Sequence, residues 1–133
     1  MKYLLDTNVC VDYLTGRFQS VVERVQRSSP DELCVSSVVA AELRYGAEKS
    51  AHRRQNHARL EVFLTEMPVA DFDARAASAY GRLRTELERA GAAIGPNDML
   101  IGAHSVSLGL VLVTDNTREF RRIKGLRVEN WRE

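Results

Sequence analysis

The chain alternates between short apolar segments and longer segments with helical periodicity, and this alternation limits the folds that it can adopt. Apolar runs of three or four residues predict buried strands. We place them at Tyr3–Leu5, Leu33–Val35, Met67–Val69, Leu110–Val113 and, as an edge strand, Leu126–Val128. Because helical patterns separate the strands, they can pair in parallel. The sequence therefore predicts an α/β fold with a mostly parallel central sheet flanked by helices.

The helical segments carry recognisable end residues. Ser37 is predicted to cap one helix, Pro96 opens another as a first-turn proline, and Gly109 ends that helix. In the longest helix the apolar residues recur on one face. We predict helices over Asn8–Leu14, Phe18–Arg27, Val38–Glu48, Asn56–Leu64, Arg75–Arg89 and Pro96 to about Gly109, with a turn or short helix over Phe120–Ile123.

Length and composition favour one globular domain over residues 1–133, because 133 residues suit a single core. A formal net charge of +1 does not indicate a strongly basic nucleic-acid binder or a membrane anchor. No apolar run reaches the length of a membrane span, and the first residues lack the features of a secretion signal, so we expect a cytoplasmic protein. Cys10 and Cys34 are expected to be reduced, buried thiols.

Four acidic residues stand at places where an α/β sheet would expose them at one edge. Asp6 and Asp115 end predicted strands, Asp98 lies in the first turn of a helix, and Glu42 lies about one turn into another. Taken singly, each has a structural explanation, as a helix cap, a turn residue, a partner of the helix dipole or a residue facing solvent. Taken together, they predict a cluster beyond the carboxyl ends of the strands, where such sheets bind ligands.

Clustered carboxylates repel one another, so a cluster of this kind favours bound cations. Oxygen ligands suit Mg²⁺ or Mn²⁺, and a metal-bound water is a nucleophile for phosphodiesters. The three histidines have no ligand spacing and are expected at the surface or in packing, at His52, His57 and His104. No Ser/His/Asp triad and no phosphate-binding loop compete with this interpretation.

Four segments of the sequence resemble motifs of PIN-domain nucleases. They read LLDTN from Leu4, AELRYGAEKS from Ala41, NDMLIGAHSVSLGLVLVT from Asn97 and DNTREFRRIKGLRVENW from Asp115. Together they span nearly the whole chain in the order of the family, and more narrowly they resemble VapC toxins of type II toxin–antitoxin systems. The resemblance implies a single PIN-like domain with a three-layer fold.

The resemblance also assigns roles to individual residues. It implies that Asp6, Glu42 and Asp98 are catalytic metal ligands. A fourth acidic position falls at Asp115 or at Asn116, since many members carry their carboxylate where this chain has Asn116. The residues expected to hydrogen-bond the acidic cluster are Asn8, Thr114 and Asn116.

Family membership would imply an endoribonuclease that depends on Mg²⁺ or Mn²⁺ and cleaves structured RNA such as tRNA. It would also imply a homodimer that a VapB-type antitoxin inhibits by covering the acidic groove, in a heterotetramer or larger complex that contacts promoter DNA only through the antitoxin. Basic residues from Arg118 to Arg132, and a second group from His52 to Arg59, are candidates to hold the RNA backbone, although each also suits a solvated surface.

Three alternatives remain open at this level. A housekeeping RNA-processing nuclease would share the same site. A phosphatase with an aspartyl nucleophile would also place an aspartate after the first strand, but it usually needs a second one where this chain has Asn8. A PIN fold that binds without catalysis would leave the carboxylates apart.

Overall fold

In the computed structural model, which describes residues 1–133, five short strands form one sheet in the order β3-β2-β1-β4-β5. All four neighbouring pairs are parallel, which confirms the predicted fold class. The strands are β1 (Tyr3–Leu5), β2 (Leu33–Ser36), β3 (Val69–Ala70), β4 (Val111–Val113) and β5 (Val128–Glu129).

Seven helices connect and follow the strands. Because parallel strands need right-handed crossovers, the helices before β3 lie on one face of the sheet and those between β3 and β4 lie on the other. The chain changes direction between β1 and β4, which makes this pair the switch point of the sheet. The helices are α1 (Thr7–Thr15), α2 (Gln19–Arg27), α3 (Ser37–Lys49), α4 (Arg53–Glu66), α5 (Ala74–Arg89), α6 (Pro96–Leu108) and α7 (Thr117–Phe120).

One continuous core holds the layers together. Strands β1, β2 and β4 are buried along their whole length, as expected for strands covered on both faces. Cys10 and Cys34 are buried and free, as predicted. None of the helices combines the length and the apolar composition that crossing a membrane requires.

Two strands lie further along the chain than the sequence predicted. β3 was predicted over Met67–Val69, but its first ladder pair is Val35 with Val69. The Pro68 carbonyl accepts the Val35 N–H (3.0 Å), but Pro68 has no N–H to donate to the ladder, and the strand begins after it. β5 was predicted over Leu126–Val128, but it pairs through Val128 and Glu129, after a turn at Gly125 with φ of 83°.

Several helix starts also differ from the prediction, and α4 begins at Arg53 instead of the predicted Asn56. Ser36, not Ser37, caps α3, because Ser36 Oγ accepts the Val38 N–H (3.0 Å). Ser37 Oγ instead accepts the Phe72 N–H (3.0 Å) from the segment after β3. The short helix near the C-terminus starts at Thr117, earlier than the predicted Phe120, and Phe120 ends it as a fully buried anchor.

Candidate active site

Asp6 follows β1 directly and lies at the switch point of the sheet, where α/β proteins bind their ligands. Its Oδ1 accepts the backbone N–H of Thr7 (2.8 Å), and its Oδ2 accepts the hydroxyl of Thr114 (2.8 Å), the residue that follows β4. The residue is only 6% exposed. Burial above all, with smaller contributions from the charges of Asp98 and Glu42, raises the pKa of Asp6 to about 6 against the effect of these two hydrogen bonds.

Glu42 reaches the same place from the second turn of α3. Its Oε1 accepts the Thr7 hydroxyl (2.5 Å), and its Oε2 accepts Nδ2 of Asn97 (3.1 Å) at the start of α6. Thr7 therefore bridges two acidic residues, since its N–H binds Asp6 and its hydroxyl binds Glu42. The carboxylate that the resemblance assigned to the site is thus held by donors from two other helices.

Asp98 lies in the first turn of α6, beside a carboxylate that the sequence analysis did not select. Asn116 Nδ2 donates to Asp98 Oδ2 (3.2 Å) and to Glu119 Oε2 (3.1 Å), so one amide holds both side chains. Burial raises the pKa of Asp98, and the neighbouring charges of Glu119 and then Glu42 raise it further. The structure therefore brings together Asp6, Glu42, Asp98 and Glu119.

Asp115 belongs to a different network. Its Oδ1 accepts Nδ2 of Asn8 (3.2 Å), and its Oδ2 accepts the guanidinium of Arg132 (3.2 Å). The same guanidinium binds both oxygens of Asp12, at 2.6 and 3.1 Å. Asp115 is not among the charges that raise the pKa of Asp6 or Asp98. Its role as a metal ligand stays a prediction, and in the structure it shares a cationic partner, Arg132, with Asp12.

The three residues predicted to support the acidic cluster are divided between these two networks. Thr114 binds Asp6 and Asn116 binds Asp98, whereas Asn8 binds Asp115. Sequence reasoning missed Thr7, Asn97 and Glu119. Thr7 and Asn97 each lie next to a selected aspartate, and Glu119 lies three residues after Asn116, a spacing that puts two side chains on one face of a helical turn.

The four carboxylates fit a hard divalent cation by their chemistry. All donors are oxygens, which Mg²⁺ and Mn²⁺ prefer, and no cationic side chain is among the groups that shift the pKa of Asp6. No three of the His, Cys, Asp and Glu side chains converge tightly enough in this structure to enclose an ion. Each carboxylate instead accepts a hydrogen bond from an N–H or O–H of Thr7, Asn97, Thr114 or Asn116.

Comparison with known proteins identifies the class of this fold and site. The PIN-domain family model matches residues 3–126. A protein from Shigella flexneri named tRNA(fMet)-specific endonuclease VapC is 45% identical over 131 residues, which cover 98% of both chains. A protein from Rickettsia felis named ribonuclease VapC2 is 42% identical over 132 residues and again covers 98% of both. The chain belongs to the PIN-domain family and, within it, to the VapC proteins.

Solved structures agree with this assignment. DNA-bound VapBC from Salmonella typhimurium contains a chain with a TM-score of 0.93 and 42% identity, covering 98% of each chain. VapBC2 from Rickettsia felis, bound to a DNA fragment from its promoter, gives a TM-score of 0.89 at 40% identity and covers 98% of this chain and 99% of that one. VapBC-1 from nontypeable Haemophilus influenzae gives 0.90 at 33% identity over the full length of both chains.

Proposed function

We propose that this protein is the toxin of a type II toxin–antitoxin pair and acts as a divalent-metal-dependent endoribonuclease on structured RNA such as tRNA. The observation that carries the proposal is the meeting of Asp6, Glu42 and Asp98, from three distant segments, at the switch point of the sheet. The names of the relatives from Shigella flexneri and Rickettsia felis support a ribonuclease. We further propose that residues 1–133 form one PIN domain that works in the cytoplasm, where such RNA is found.

Asp6, Glu42, Asp98 and Glu119 would hold Mg²⁺ or Mn²⁺. When bound, the ion supplies an activated water for attack on the phosphodiester and neutralises charge on the leaving oxygen. The protein's own residues orient the ligands. Thr114 and the Thr7 N–H hold Asp6, the Thr7 hydroxyl and Asn97 hold Glu42, and Asn116 sets Asp98 beside Glu119. Cleavage of this kind leaves 5′-phosphate and 3′-hydroxyl ends.

The choice of Glu119 over Asp115 as fourth carboxylate gives a direct prediction. Glu119→Gln is expected to lower kcat for RNA cleavage by about 100-fold, because it removes a charge beside Asp98. Asp115→Asn is expected to lower kcat by less than about 10-fold, since Asp115 is already paired with Arg132. Single-turnover cleavage of a tRNA transcript in Mg²⁺ measures both. A larger loss of kcat in Asp115→Asn than in Glu119→Gln would identify Asp115 as the fourth carboxylate of the site.

A groove beside Glu42 is the proposed binding site of the antitoxin. It has a volume of about 320 Å³ and runs between α1, α3 and α4, with Glu42 at its wall. Its apolar lining suits a buried hydrophobic segment, and the neighbouring carboxylates suit an arginine of the antitoxin. The apolar residues are Val11, Leu14, Leu43, Ala47 and Leu60. The toxin itself is proposed to form a homodimer, and promoter DNA is proposed to be bound only through the antitoxin, as a heterotetramer or larger complex.

A charge introduced into this groove is expected to weaken inhibition by the antitoxin without changing RNA cleavage. Val11 lines the groove and is 42% exposed, so Val11→Asp adds a charge there without disturbing the core. We expect the antitoxin to inhibit this variant at least about 10-fold more weakly, because an unpaired charge opposes apolar contacts. RNA cleavage by the free toxin should be unchanged. The matched control is Val62→Asp on α4, which is exposed but outside the groove and should be inhibited like the parent.

The proposed function is tested by mapping RNA ends in cells after brief induction of the parent and of Asp6→Asn. The parent is expected to arrest growth and to produce new 5′-phosphate ends at one or a few RNA positions, and co-expressed antitoxin should restore growth. Identical RNA ends from both proteins would contradict the proposal. Cleavage without growth arrest would instead favour a housekeeping nuclease, and a trapped aspartyl-phosphate would favour the phosphatase.

A further inference from the structure

His104 is a buried residue of α6, the helix that carries Asp98. It is fully buried, and Phe72 packs edge-on against its ring with centroids 5.4 Å apart. Its Nδ1 lies 2.8 Å from Ser36 Oγ, while its Nε2 has no hydrogen-bond partner. Burial lowers the pKa of His104 against the nearby negative charges of Asp73 and Asp71, which favours a neutral ring.

Ser36 is the junction between β2 and α3. Its Oγ accepts the Val38 N–H (3.0 Å), which is the first capped donor of α3. The Ser36 hydroxyl still has a proton to donate and a second lone pair to accept with, so it can hydrogen-bond Nδ1 of the neutral imidazole in either tautomer. The hydrogen bond therefore connects α6 to the start of the helix that carries Glu42.

A second hydrogen bond joins the same two helices at the site. Asn97, at the start of α6, donates to Glu42 on α3 (3.1 Å). At about 1.5 Å per residue, the two connections are separated by about 9 Å along α3 and about 10 Å along α6. Two contacts at this separation constrain both the distance and the angle between the helices, whereas the contact at the site alone would allow them to pivot. The hydrogen bond between Ser36 and His104 is the one shielded from solvent, because both residues are fully buried.

We propose that His104 is a positioning residue, whose hydrogen bond to Ser36 fixes the position of Asp98 on α6 relative to Glu42 on α3. The inference rests on the proposed function, since the carboxylates that it positions are the assigned metal ligands. The competing explanation is that His104 only fills space in the core. Only the positioning role predicts that a polar replacement able to hydrogen-bond at this junction restores activity and metal affinity.

The test compares four variants at the junction. His104→Leu keeps most of the volume but removes the hydrogen bond, and Ser36→Ala removes its partner. His104→Asn places an amide oxygen near the position of Nδ1, and Ser36→Thr keeps the hydroxyl. Leu83→Ala on α5 is the control, because it opens the core at a fully buried position outside this junction. Two readouts are used: kcat and KM for RNA cleavage, and Mn²⁺ affinity of the RNA-free protein by calorimetry.

We expect His104→Leu and Ser36→Ala to lower kcat by about 10- to 100-fold with little change in KM, because small displacements of reacting groups carry costs of this size. Mn²⁺ affinity should fall by about 10-fold. His104→Asn and Ser36→Thr should recover most of both, and Leu83→Ala should lose stability but keep both. Parental values in folded His104→Leu, or equal losses in Leu83→Ala, would overturn the inference.

A parent that binds Mn²⁺ but does not cleave RNA would contradict the proposed function alone, because the calorimetry still tests the junction. A parent that binds no Mn²⁺ would overturn both.

Discussion

Replacement of Asp6 by asparagine is expected to lower RNA cleavage by about 1000-fold and, in the absence of metal, to stabilise the folded protein at neutral pH. The loss of cleavage follows from removal of a charged ligand at the centre of the site. The gain in stability follows from burial, because the carboxylate is 6% exposed and near two other negative side chains. Mn²⁺ should raise the thermal midpoint of the parent but not that of the variant.

The pH dependence of this effect has a definite sign. The pKa of Asp6 is raised from 3.8 to about 6 on folding, so the folded state holds this proton more tightly than the unfolded state. The free energy of unfolding therefore falls as pH rises from about 4 to about 6, by about 3 kcal/mol from this group, and stays lower above pH 6. The asparagine amide of the variant does not titrate in this range. The variant should exceed the parent in stability at pH 8, and the difference should shrink toward pH 4.5.

Urea unfolding in EDTA at pH 8 and pH 4.5 measures the difference. Asp115→Asn is the matched control, because it removes a carboxylate that is paired with Arg132 and should give no gain at pH 8. If Asp6→Asn is less stable than the parent at both pH values, burial of this charge is not costly. Parental cleavage rates in Asp6→Asn would rule out the proposed metal site.

Arg132→Gln is expected to cost about 3 to 5 kcal/mol in the free energy of unfolding, the usual range for a buried ion pair that loses one partner. Asp12 is only 1% exposed, and its carboxylate accepts two hydrogen bonds from the Arg132 guanidinium. The Arg132 side chain also lies over the ring of Phe18, 4.4 Å from the centroid, so the variant loses packing as well as charge. Urea unfolding at pH 7 with tryptophan fluorescence measures the loss.

The matched control is Arg44→Gln. Arg44 and Glu61 also meet at 2.6 Å, but their side chains are 49% and 62% exposed, so solvent screens the pair. We expect a cost below about 1 kcal/mol there. The double variant Asp12→Asn/Arg132→Gln should be more stable than Arg132→Gln alone, because it leaves no unpaired buried charge. Equal costs for Arg132→Gln and Arg44→Gln would show that burial does not govern these pairs.

Local sequence patterns predicted the order of strands and helices and most of their positions. The central strands are short runs of apolar residues, and Gly109 ends α6 in a left-handed conformation that glycine adopts without strain. The choice between Ser36 and Ser37 as a cap was not visible locally, because either serine can accept an N–H. It depends on where β2 ends, and the pairing of Ser36 with Ala70 extends the strand to that residue.

The identity of the fourth carboxylate of the site was likewise not visible in the local sequence. Thr114 and Asp115 are the two residues that follow β4, and their side chains meet different partners. Thr114 takes the side of Asp6, and Asp115 instead contacts Asn8 and Arg132. The turn into α7 then brings Glu119 beside Asp98. The sequence analysis placed the fourth position at Asp115 or Asn116 and did not select Glu119, because its approach to Asp98 depends on how the chain turns after β4.

The amino-acid sequence by itself determined the alternating α/β order and the three acidic residues at its strand and helix ends, because periodicity and end residues act over a few neighbours. Tertiary structure alone decided which partners these residues meet. Arg132 reaches Asp12 across 120 positions of sequence, and His104 reaches Ser36 across 68. Such contacts form only when the layers pack, so they depend on the whole chain and leave no local pattern.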